Sequence, residues 1–567
     1  MSRLFITSAV LVVTLVTGIA LRFAGLLYGL PLDVAGDEFL HVATALAFMN
    51  DMSLVAWHSF SYAPTLIAVL LAPFYATFGL AGVVLGWFDG ISSFKEFAIL
   101  NSTWFLVGPR IISALAGAAF LGVLYLFTKR IMGTGAATIA LMLATFDFWL
   151  VHESQLGHIW MPLTFLTLCS WYASLRIFQD GGRRWYVLGA LSLVLGYWAG
   201  FIPALMLPWL ALAHFMRSDH VKANLYLGAG IAISGLALVT FLNPYSFMRQ
   251  FGGTVARGLL SVFGVDVFSS GLISETWRHA SDGIVHPLEN IVTMASVLFH
   301  ANPLLVIVGV TGLIIFMYRK KLSYESLLLV GFPIAYLGVA SLIWPNPDDR
   351  YILPLIAPLL IGAGYLFSEI YDHTRLRNRG IASGIVVMMF ALTLLISVQV
   401  TAQYSKLFFV TDTRVAALDW IFGHIEDGAL VATYGSHYFE LPRNALVTQD
   451  LAETLPGELR TKDRYLLDRP ATMYPSPSYY VLRDGEIDQL AAQGFSIPSF
   501  EYLVTTSFDP TTLQVPGLQY ERIQRFTPRE NGGAVINLLQ DTDRWLLLHL
   551  LGLKNLGPYV EVYQRVK

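Results

Sequence analysis

The chain has 567 residues, of which 55% are hydrophobic and only 13% are charged. Its mean hydropathy of +0.59, together with 13 Trp and 26 Tyr, excludes an ordinary soluble globular protein and indicates a polytopic membrane protein. The net charge of -3 gives no basis for nucleic-acid binding, and the single cysteine, Cys169, excludes an intrachain disulfide and a cysteine-based metal site.

Apolar segments long enough to cross a bilayer, which takes roughly 20 residues, recur up to residue 402. They predict about eleven transmembrane helices, at 4–26, 108–128, 133–150, 160–178, 186–200, 201–216, 224–242, 302–318, 324–343, 351–369 and 381–402. Only Gly200 and Pro203 mark a break within residues 186–216, which therefore form either one span or two. We interpret the first span as uncleaved, because Arg22 and Phe23 follow its apolar core, where a signal peptide would carry small residues.

Basic residues in short loops predict the orientation of the chain, because such loops stay in the cytoplasm. Counted from Arg3 on the inside, the basic clusters all fall on one face, at 129–130, 176–184, 217–222, 319–321 and 375–379. The opposite face then receives two long outer loops, 27–107 and 243–301, and the C-terminal tail. We therefore expect a multi-pass protein of the plasma (inner) membrane, with a cytoplasmic N-terminus and extracytoplasmic chemistry.

The first outer loop contains apolar stretches of its own, at 40–49 and 63–86. Pro64 and Pro73 interrupt the second stretch, which favours short helices lying at the membrane interface over a clean crossing pair. A hidden extra hairpin is the alternative.

From about residue 403 the composition changes to that of a soluble domain. The segments ALVATYG (429–435) and SYYVLRD (478–484) are typical of buried strands, and TRVAALDWIFGHI (413–425) is typical of a helix. The sequence thus predicts two domains: a transmembrane domain at 1–402 and a soluble extracytoplasmic α/β domain at 403–567.

Asp37 and Glu38 stand side by side just after the first hydrophobic segment. Carboxylates at the level of a membrane are costly unless water, a cation or a substrate meets them, so the pair indicates a functional site. Helical spacing from Glu38 to His41 puts an imidazole within reach of the acids. The trio would either take the proton from an incoming hydroxyl or bind a divalent cation. The structural alternative is an acidic turn in which Asp37 caps a helix.

Two arginines, Arg110 and Arg350, begin the second and tenth spans on the outer side, where cations are disfavoured. A guanidinium binds phosphate oxygens through two parallel hydrogen bonds, so both arginines are candidates for an anionic head group. The alternatives are contact with lipid phosphates and, for Arg350, an ion pair with Asp348 or Asp349.

The loop 151–159 adds His152, Glu153 and His158 at the same depth. His152 and Glu153 are candidates to line the cavity of the acidic pair, and a hydrogen-bonded loop histidine is the plainer alternative. The charged residues of the loop 243–301 select no particular chemistry.

Four segments, taken in their order along the chain, form a recognisable pattern. LLYGLPLDVAGDEFLHVATAL contains the acidic pair, VGPRIISALAGAAFLGVLYLF is an arginine-led span, and DDRYILPLIAPLLIGAGYLF has an Arg-Tyr-x-x-Pro pattern. TDTRVAALDWIFGHIEDGALVAT begins the tail. In this order they resemble GT-C glycosyltransferases of the protein O-mannosyltransferase and aminoarabinose-transferase type (glycosyltransferase family 39 type).

The resemblance implies a GT-C fold and a membrane glycosyltransferase that moves a sugar from polyprenyl phosphate to an acceptor hydroxyl, with inversion. It implies Asp37 as the base, with Glu38 assisting the acceptor or a cation. Arg350 and Arg110 would be phosphate partners, Arg350 the better one, and Tyr351 belongs to the same motif as Arg350. The implied partners are the lipid-linked donor, membrane lipids and an acceptor protein, glycolipid or polysaccharide.

One position departs from the family, whose members often carry an aspartate just before a Pro-Leu-Thr-Phe run. Here HIWMPLTF has Trp160 at that place. Either Glu153 substitutes from the loop, or Trp160 stacks on a sugar ring, or Trp160 belongs to an interfacial aromatic belt. Two other functions stay open, a multi-span transporter and a non-catalytic protein of envelope assembly.

Overall fold

The computed structural model describes residues 2–51, 66–200, 202–217, 221–242, 287–321, 323–343, 349–376, 380–435, 439–512, 519–538 and 546–566. Most of these residues are helical, and a β-sheet follows the last long apolar helix. Parts of two predicted outer loops, 243–286 and 344–348, lie outside the described residues, together with their charged side chains.

Seven helices of the described chain are long and apolar enough to cross a membrane. They are Leu66–Val84, Ser102–Thr145, Lys222–Phe241, Pro303–Lys320, Tyr324–Leu342, Asp349–Thr374 and Gly380–Leu407. Two shorter apolar helices, Ser8–Phe23 and Ile202–Met216, add to them. The chain is therefore a helical membrane protein, as its composition predicts, because a helix satisfies its own backbone hydrogen bonds where no water is available.

The helices of the apolar region follow the predicted spans. Their bounds are Ser2–Phe23, Glu38–Asp51, Leu66–Val84, Ile91–Leu100, Val107–Thr145, Phe148–Gln155, Trp160–Asp180, Arg183–Ala199, Leu207–Met216, Lys222–Leu242, Pro287–Ala301, Pro303–Lys320, Tyr324–Ser326, Phe332–Ile343, Leu353–Leu376 and Gly380–Leu407. Each span predicted from hydropathy coincides with helical residues of this set.

Two glycines interrupt the helical backbone near boundaries between predicted spans. Gly133 has a φ of 86° and interrupts the helical backbone of Val107–Thr145, so this run contains the predicted second and third spans. Only glycine adopts such a φ without steric cost. Gly200 ends the helix Arg183–Ala199 in an extended conformation. Residues 186–216 therefore form two helices rather than one.

One helix differs from the prediction. The sequence favours short interfacial helices around Pro73, but the structure has a continuous helix, Leu66–Val84, with Pro73 inside it. In apolar surroundings the neighbouring backbone groups have no water to bind, so the helix continues past the proline. Tyr75 on this helix donates to the carbonyl of Phe105 at 2.6 Å, which ties the helix to the rest of the outer segment.

The span Asp349–Thr374 is the most enclosed, since 89% of its most apolar stretch is buried, against 17% for Gly380–Leu407. Glycine allows its close packing: a Cβ added at Gly312 would overlap the carbonyl of Gly362 on this span. Close backbone contact of this kind is typical of helices in membranes. Arg350 lies at the start of this enclosed span.

The C-terminal part of the described chain carries a mixed sheet. Its strands are β1 Leu430–Tyr434, β2 Tyr480–Arg483, β3 Tyr502–Ser507, β4 Tyr520–Phe526 and β5 Tyr559–Arg565, in the order β2-β1-β3-β5-β4. β1 runs parallel to β2 and β3, whereas β5 is antiparallel to β3 and β4. The associated helices are Thr413–His424, Ala445–Thr454, Thr461–Leu467, Asp484–Ala492 and Leu546–Leu550. The α/β character is confirmed, and the domain boundary near residue 403 stays a prediction.

Candidate active site

Asp37 and Arg350 form an ion pair at the start of the enclosed span. Arg350 Nη1 donates to Asp37 Oδ2 at 2.8 Å. The side chains of Asp37 and Arg350 are 37% and 19% exposed, so the pair is accessible. Gly36, with a φ of 73°, turns the chain immediately before Asp37, and the helix Glu38–Asp51 begins immediately after it.

The charge state of Asp37 follows from its neighbours. Burial alone would raise the pKa of Asp37, but the charge and hydrogen bond of Arg350 and the charge of His158 outweigh burial and lower the pKa. Asp37 is therefore ionised at neutral pH. A carboxylate of this kind can accept the proton of a hydroxyl, and a guanidinium beside it can bind an anion.

Glu38 points into the protein, unlike its neighbour. Its side chain is fully buried and accepts from Arg110 at both oxygens, with Arg110 Nη2 at 2.6 Å from Oε2. The N–H of Gly157 donates to Oε1 at 2.5 Å. Arg110 Nη1 also donates to the carbonyls of Leu26 and Tyr28. This pair fixes the first outer segment against the second span and the loop at Gly157.

These contacts bear on two expected roles. Both oxygens of Glu38 are engaged, and Arg110 is 2% exposed with its hydrogen-bond donors directed to protein acceptors. Such a geometry favours a structural role for the pair. Catalysis by Glu38 and phosphate binding by Arg110 stay predictions that the contacts do not favour.

His41 is buried beside this pair. Burial lowers the pKa of His41 to about 4, with the charge of His158 acting in the same direction. His41 is therefore neutral at pH 7. Among the residues that the structure describes, no three His, Cys, Asp or Glu side chains converge in a way that could hold a metal ion. Glu38 already accepts hydrogen bonds from Arg110, so a cation site of Asp37, Glu38 and His41 stays a prediction that the contacts do not favour.

Glu153 lies buried between two histidines. Its Oε1 is 3.7 Å from His152 Nε2, and its Oε2 is 3.4 Å from His158 Nδ1. His152 Nδ1 lies 2.6 Å from the hydroxyl of Tyr404, on the last apolar helix. The structure thus brings His152 and Glu153 together, and both lie within electrostatic reach of Arg350.

Each member of this cluster has a shifted pKa. Burial would raise the pKa of Glu153, but the hydrogen bond and charge of His158 outweigh it, with smaller effects from His152 and Arg350, and the pKa falls. Burial lowers the pKa of His152 to about 4. Burial would lower the pKa of His158 too, but its interaction with Glu153 prevails and raises it. The cluster therefore favours a glutamate anion, a neutral His152 and a protonated His158.

Trp160 and Tyr351 form an aromatic pair beside Arg350. Their ring centroids are 4.7 Å apart. Trp160 is 7% exposed and Tyr351 is half-buried. Trp160 therefore packs within the protein rather than in a lipid-facing belt. Tyr336 donates to the carbonyl of Tyr351 at 2.5 Å and fixes the backbone there. Sugar binding by this pair stays a prediction.

Some residues that hold the site were not singled out from the sequence. Tyr404 contacts His152, as described, and Tyr28 donates to Asp412 Oδ2 at 2.5 Å. Arg414 donates to the same carboxylate through Nε and Nη2, each at 2.9 Å, and to the carbonyl of Val34 at 3.3 Å. An Asp-x-Arg sequence directly after the last apolar helix is the only local signal of this contact.

No family model and no curated protein matches the sequence. Among solved structures, the oligosaccharyltransferase of Archaeoglobus fulgidus in its apo form matches 99% of this chain and 88% of its own, with 11% identity and a TM-score of 0.48. Its complex with Zn and sulfate covers 98% and 88%, with 12% identity and a TM-score of 0.49. ArnT from Cupriavidus metallidurans bound to undecaprenyl phosphate covers 88% and 93%, with 14% identity and a TM-score of 0.45. These matches are likenesses of fold alone.

Proposed function

We propose that the chain is a membrane glycosyltransferase that moves a sugar from a polyprenyl-phosphate donor to an acceptor hydroxyl, with inversion. The observation that carries this proposal is the accessible ion pair of Asp37 and Arg350, a base in contact with an anion-binding group. The pattern of basic loops favours the outer face of the plasma (inner) membrane for this pair. The acceptor hydroxyl belongs to a protein, a glycolipid or a polysaccharide.

The transfer needs one base and one group that binds phosphate. Asp37 accepts the proton of the acceptor hydroxyl while its oxygen attacks the anomeric carbon. The bond from that carbon to the phosphate oxygen breaks, and its electron pair stays on the lipid phosphate. Arg350 donates to the phosphate oxygens, where the negative charge increases. Attack opposite the departing phosphate inverts the anomeric configuration.

The contact between base and phosphate partner links donor binding to activation. Without donor, Arg350 keeps Asp37 ionised but also lowers its pKa, which weakens it as a base. A donor phosphate that draws the guanidinium away would raise the pKa of Asp37 towards that of an ordinary carboxyl. The base therefore becomes stronger once the donor is in place.

Other residues shape the site without touching the reacting atoms. Glu38 and Arg110 hold the turn that carries Asp37. A divalent cation enters no step here, because the oxygens of Glu38 are occupied by protein donors. We assign this site to the transmembrane domain, 1–402, with the α/β domain, 403–567, contacting it from the outer side.

Aromatic side chains line one side of the donor sugar, and polar side chains line the other. Trp160 and Tyr351 offer ring faces beside Arg350, and aromatic faces suit the apolar side of a sugar. His152 and Glu153 form the polar side at the same depth. The departure from the family at Trp160 then reflects sugar contact at that position rather than an acidic group.

Purified protein and a panel of polyprenyl-phosphate sugars test the proposal. The protein is reconstituted in vesicles with mixed acceptor hydroxyls, and release of polyprenyl phosphate is measured. Release from one donor class, dependent on active protein, supports the transferase and identifies the sugar. If no donor is consumed while the lipid-linked sugar crosses the vesicle membrane, the chain is a transporter and the proposal is wrong.

A further inference from the structure

The loop between the helices Phe148–Gln155 and Trp160–Asp180 holds His158 in a fixed place. Ser113 Oγ donates to the carbonyl of His158 at 2.8 Å. The preceding N–H, that of Gly157, donates to a buried carboxylate oxygen at 2.5 Å. The backbone on both sides of the imidazole is therefore anchored to other elements, and His158 is 4% exposed.

Nδ1 of the His158 ring faces Glu153, whereas Nε2 has no acidic or polar partner among the described residues. Nδ1 lies 3.4 Å from Glu153 Oε2, at ion-pair distance but outside hydrogen-bond geometry. Nε2 is buried and has no hydrogen-bond partner among the described residues. A buried N–H without a partner is unfavourable, and an acceptor oxygen of a ligand would satisfy it.

The surroundings of His158 are those of the candidate site. Its charge acts on Asp37, and the charges of Arg350 and Glu38 act on His158 in turn. His152, on the other side of Glu153, contacts Tyr404 and stays neutral. His158 is therefore the one imidazole of this cluster that pairs with Glu153 as a cation and still carries an unused donor.

We propose that His158 is a second phosphate-binding group, which donates its Nε2–H to an oxygen of the lipid phosphate while Glu153 binds its Nδ1–H. This inference rests on the proposed function. The anomeric carbon exchanges its bond to the phosphate oxygen for a bond to the acceptor oxygen, and the hydroxyl proton goes to Asp37. His158 keeps both of its protons and stabilises the charge left on the phosphate. Arg350 and His158 then bind the phosphate together.

Two substitutions separate this role from a structural one. His158→Gln keeps an N–H near the position of Nε2 but loses the charge, so we expect a kcat about 10-fold to 100-fold lower. His158→Asn keeps an N–H near Nδ1, which can still bond Glu153 but cannot reach the phosphate, so we expect a loss of about 100-fold to 1000-fold. A purely structural pairing with Glu153 would give the opposite order.

The measurement is release of polyprenyl phosphate at saturating donor, with thermal unfolding of each variant as the test of folding. His424→Gln, on an exposed histidine of the C-terminal part, is the matched control and should keep wild-type kcat. If either folded His158 variant keeps kcat within about threefold of wild type, or if Asn outperforms Gln, the inference is wrong although the transferase stands. If wild type itself releases no polyprenyl phosphate from any donor, the proposed function fails instead. If His158→Gln does not fold, the kcat of His158→Asn decides: a loss of about 100-fold to 1000-fold supports the inference, and a kcat within about threefold of wild type contradicts it.

Discussion

Arg350 donates to the carboxylate of Asp37 at 2.8 Å, although 313 residues separate them in the chain. The contact joins the first outer segment to the start of the most enclosed span. The acid is partly exposed, so the pair is accessible, and it lies at the start of a span that is mostly buried. These are the properties that a catalytic base and its anion-binding partner require.

Replacement of Arg350 should change the pH dependence of transfer. In the proposed mechanism the carboxylate of Asp37 is the active form, so activity should be present above its pKa and lost as pH falls through it. Arg350 lowers that pKa in the free protein, and Arg350→Gln should therefore move the acidic limb of kcat/KM to higher pH. A rate profile with the same acidic limb in both proteins would show that Arg350 does not act on the base.

The same variant should lose phosphate binding. Arg350→Gln removes the charge and one arm of the fork, and we expect kcat to fall by about 100-fold or more. Arg350→Lys keeps a point charge and should lose less. Equal activity of the Gln and Lys variants would argue against contact with a phosphate.

Removal of the Arg110 guanidinium should destabilise the fold. Arg110→Met takes the bidentate partner from the fully buried Glu38 and leaves the N–H of Gly157 as its hydrogen-bond donor among the described residues, at an expected cost of about 3–5 kcal/mol. The control is Arg130→Met, which breaks an exposed pair with Asp180 and should cost about 0–1 kcal/mol. Thermal unfolding in detergent compares them, and similar unfolding temperatures for the two variants would contradict a structural role for Arg110.

Close packing in the membrane region makes Gly312 intolerant of a side chain. A Cβ at Gly312 would overlap the carbonyl of Gly362, so Gly312→Ala forces the two helices apart, at about 1–3 kcal/mol. Gly122 lies on another apolar helix, where an added Cβ would meet nothing within 4 Å, and Gly122→Ala should be neutral or stabilising. A lower unfolding temperature for Gly122→Ala than for Gly312→Ala would show that this packing is not as described.

The contact of Arg414 with Asp412 and Val34 should matter for activity, because Val34 lies three residues before Asp37. Arg414→Met leaves the buried Asp412 without its guanidinium and frees the acidic turn, so we expect kcat to fall by about tenfold or more. Arg522→Met, in a half-exposed pair on the sheet, is the control and should keep wild-type kcat. Equal kcat in both variants would remove the positional role of Arg414.

Much of the fold could be predicted because hydropathy and turn residues are local signals. The apolar windows predicted the helices, and Gly133 and Gly200 mark real breaks. The segments 429–435 and 478–484, which are typical of buried strands, predicted β1 and β2. The helix through Pro73 was missed because a proline is a local signal for a break. In apolar surroundings the backbone groups next to the proline have no water to bind, so they keep their helical hydrogen bonds.

The candidate site was predictable in its residue types but not in its pairings. Adjacent residues at a helix start point in different directions, so Asp37 faces Arg350 while Glu38 faces inward to Arg110. Nothing in the local sequence shows which acid takes which direction. The contact of Tyr404 with the loop histidine joins residues 252 apart, for which periodicity carries no information.

Asp37 is the proposed base, and the variant Asp37→Asn removes its ability to accept a proton. The amide has nearly the same shape but cannot take the proton, so release of polyprenyl phosphate should fall by about 1000-fold while the unfolding temperature stays close to that of wild type. Asp89→Asn, at an exposed position of the same outer segment, should leave the rate unchanged. A folded Asp37→Asn protein that transfers sugar within about threefold of the wild-type rate would contradict the account.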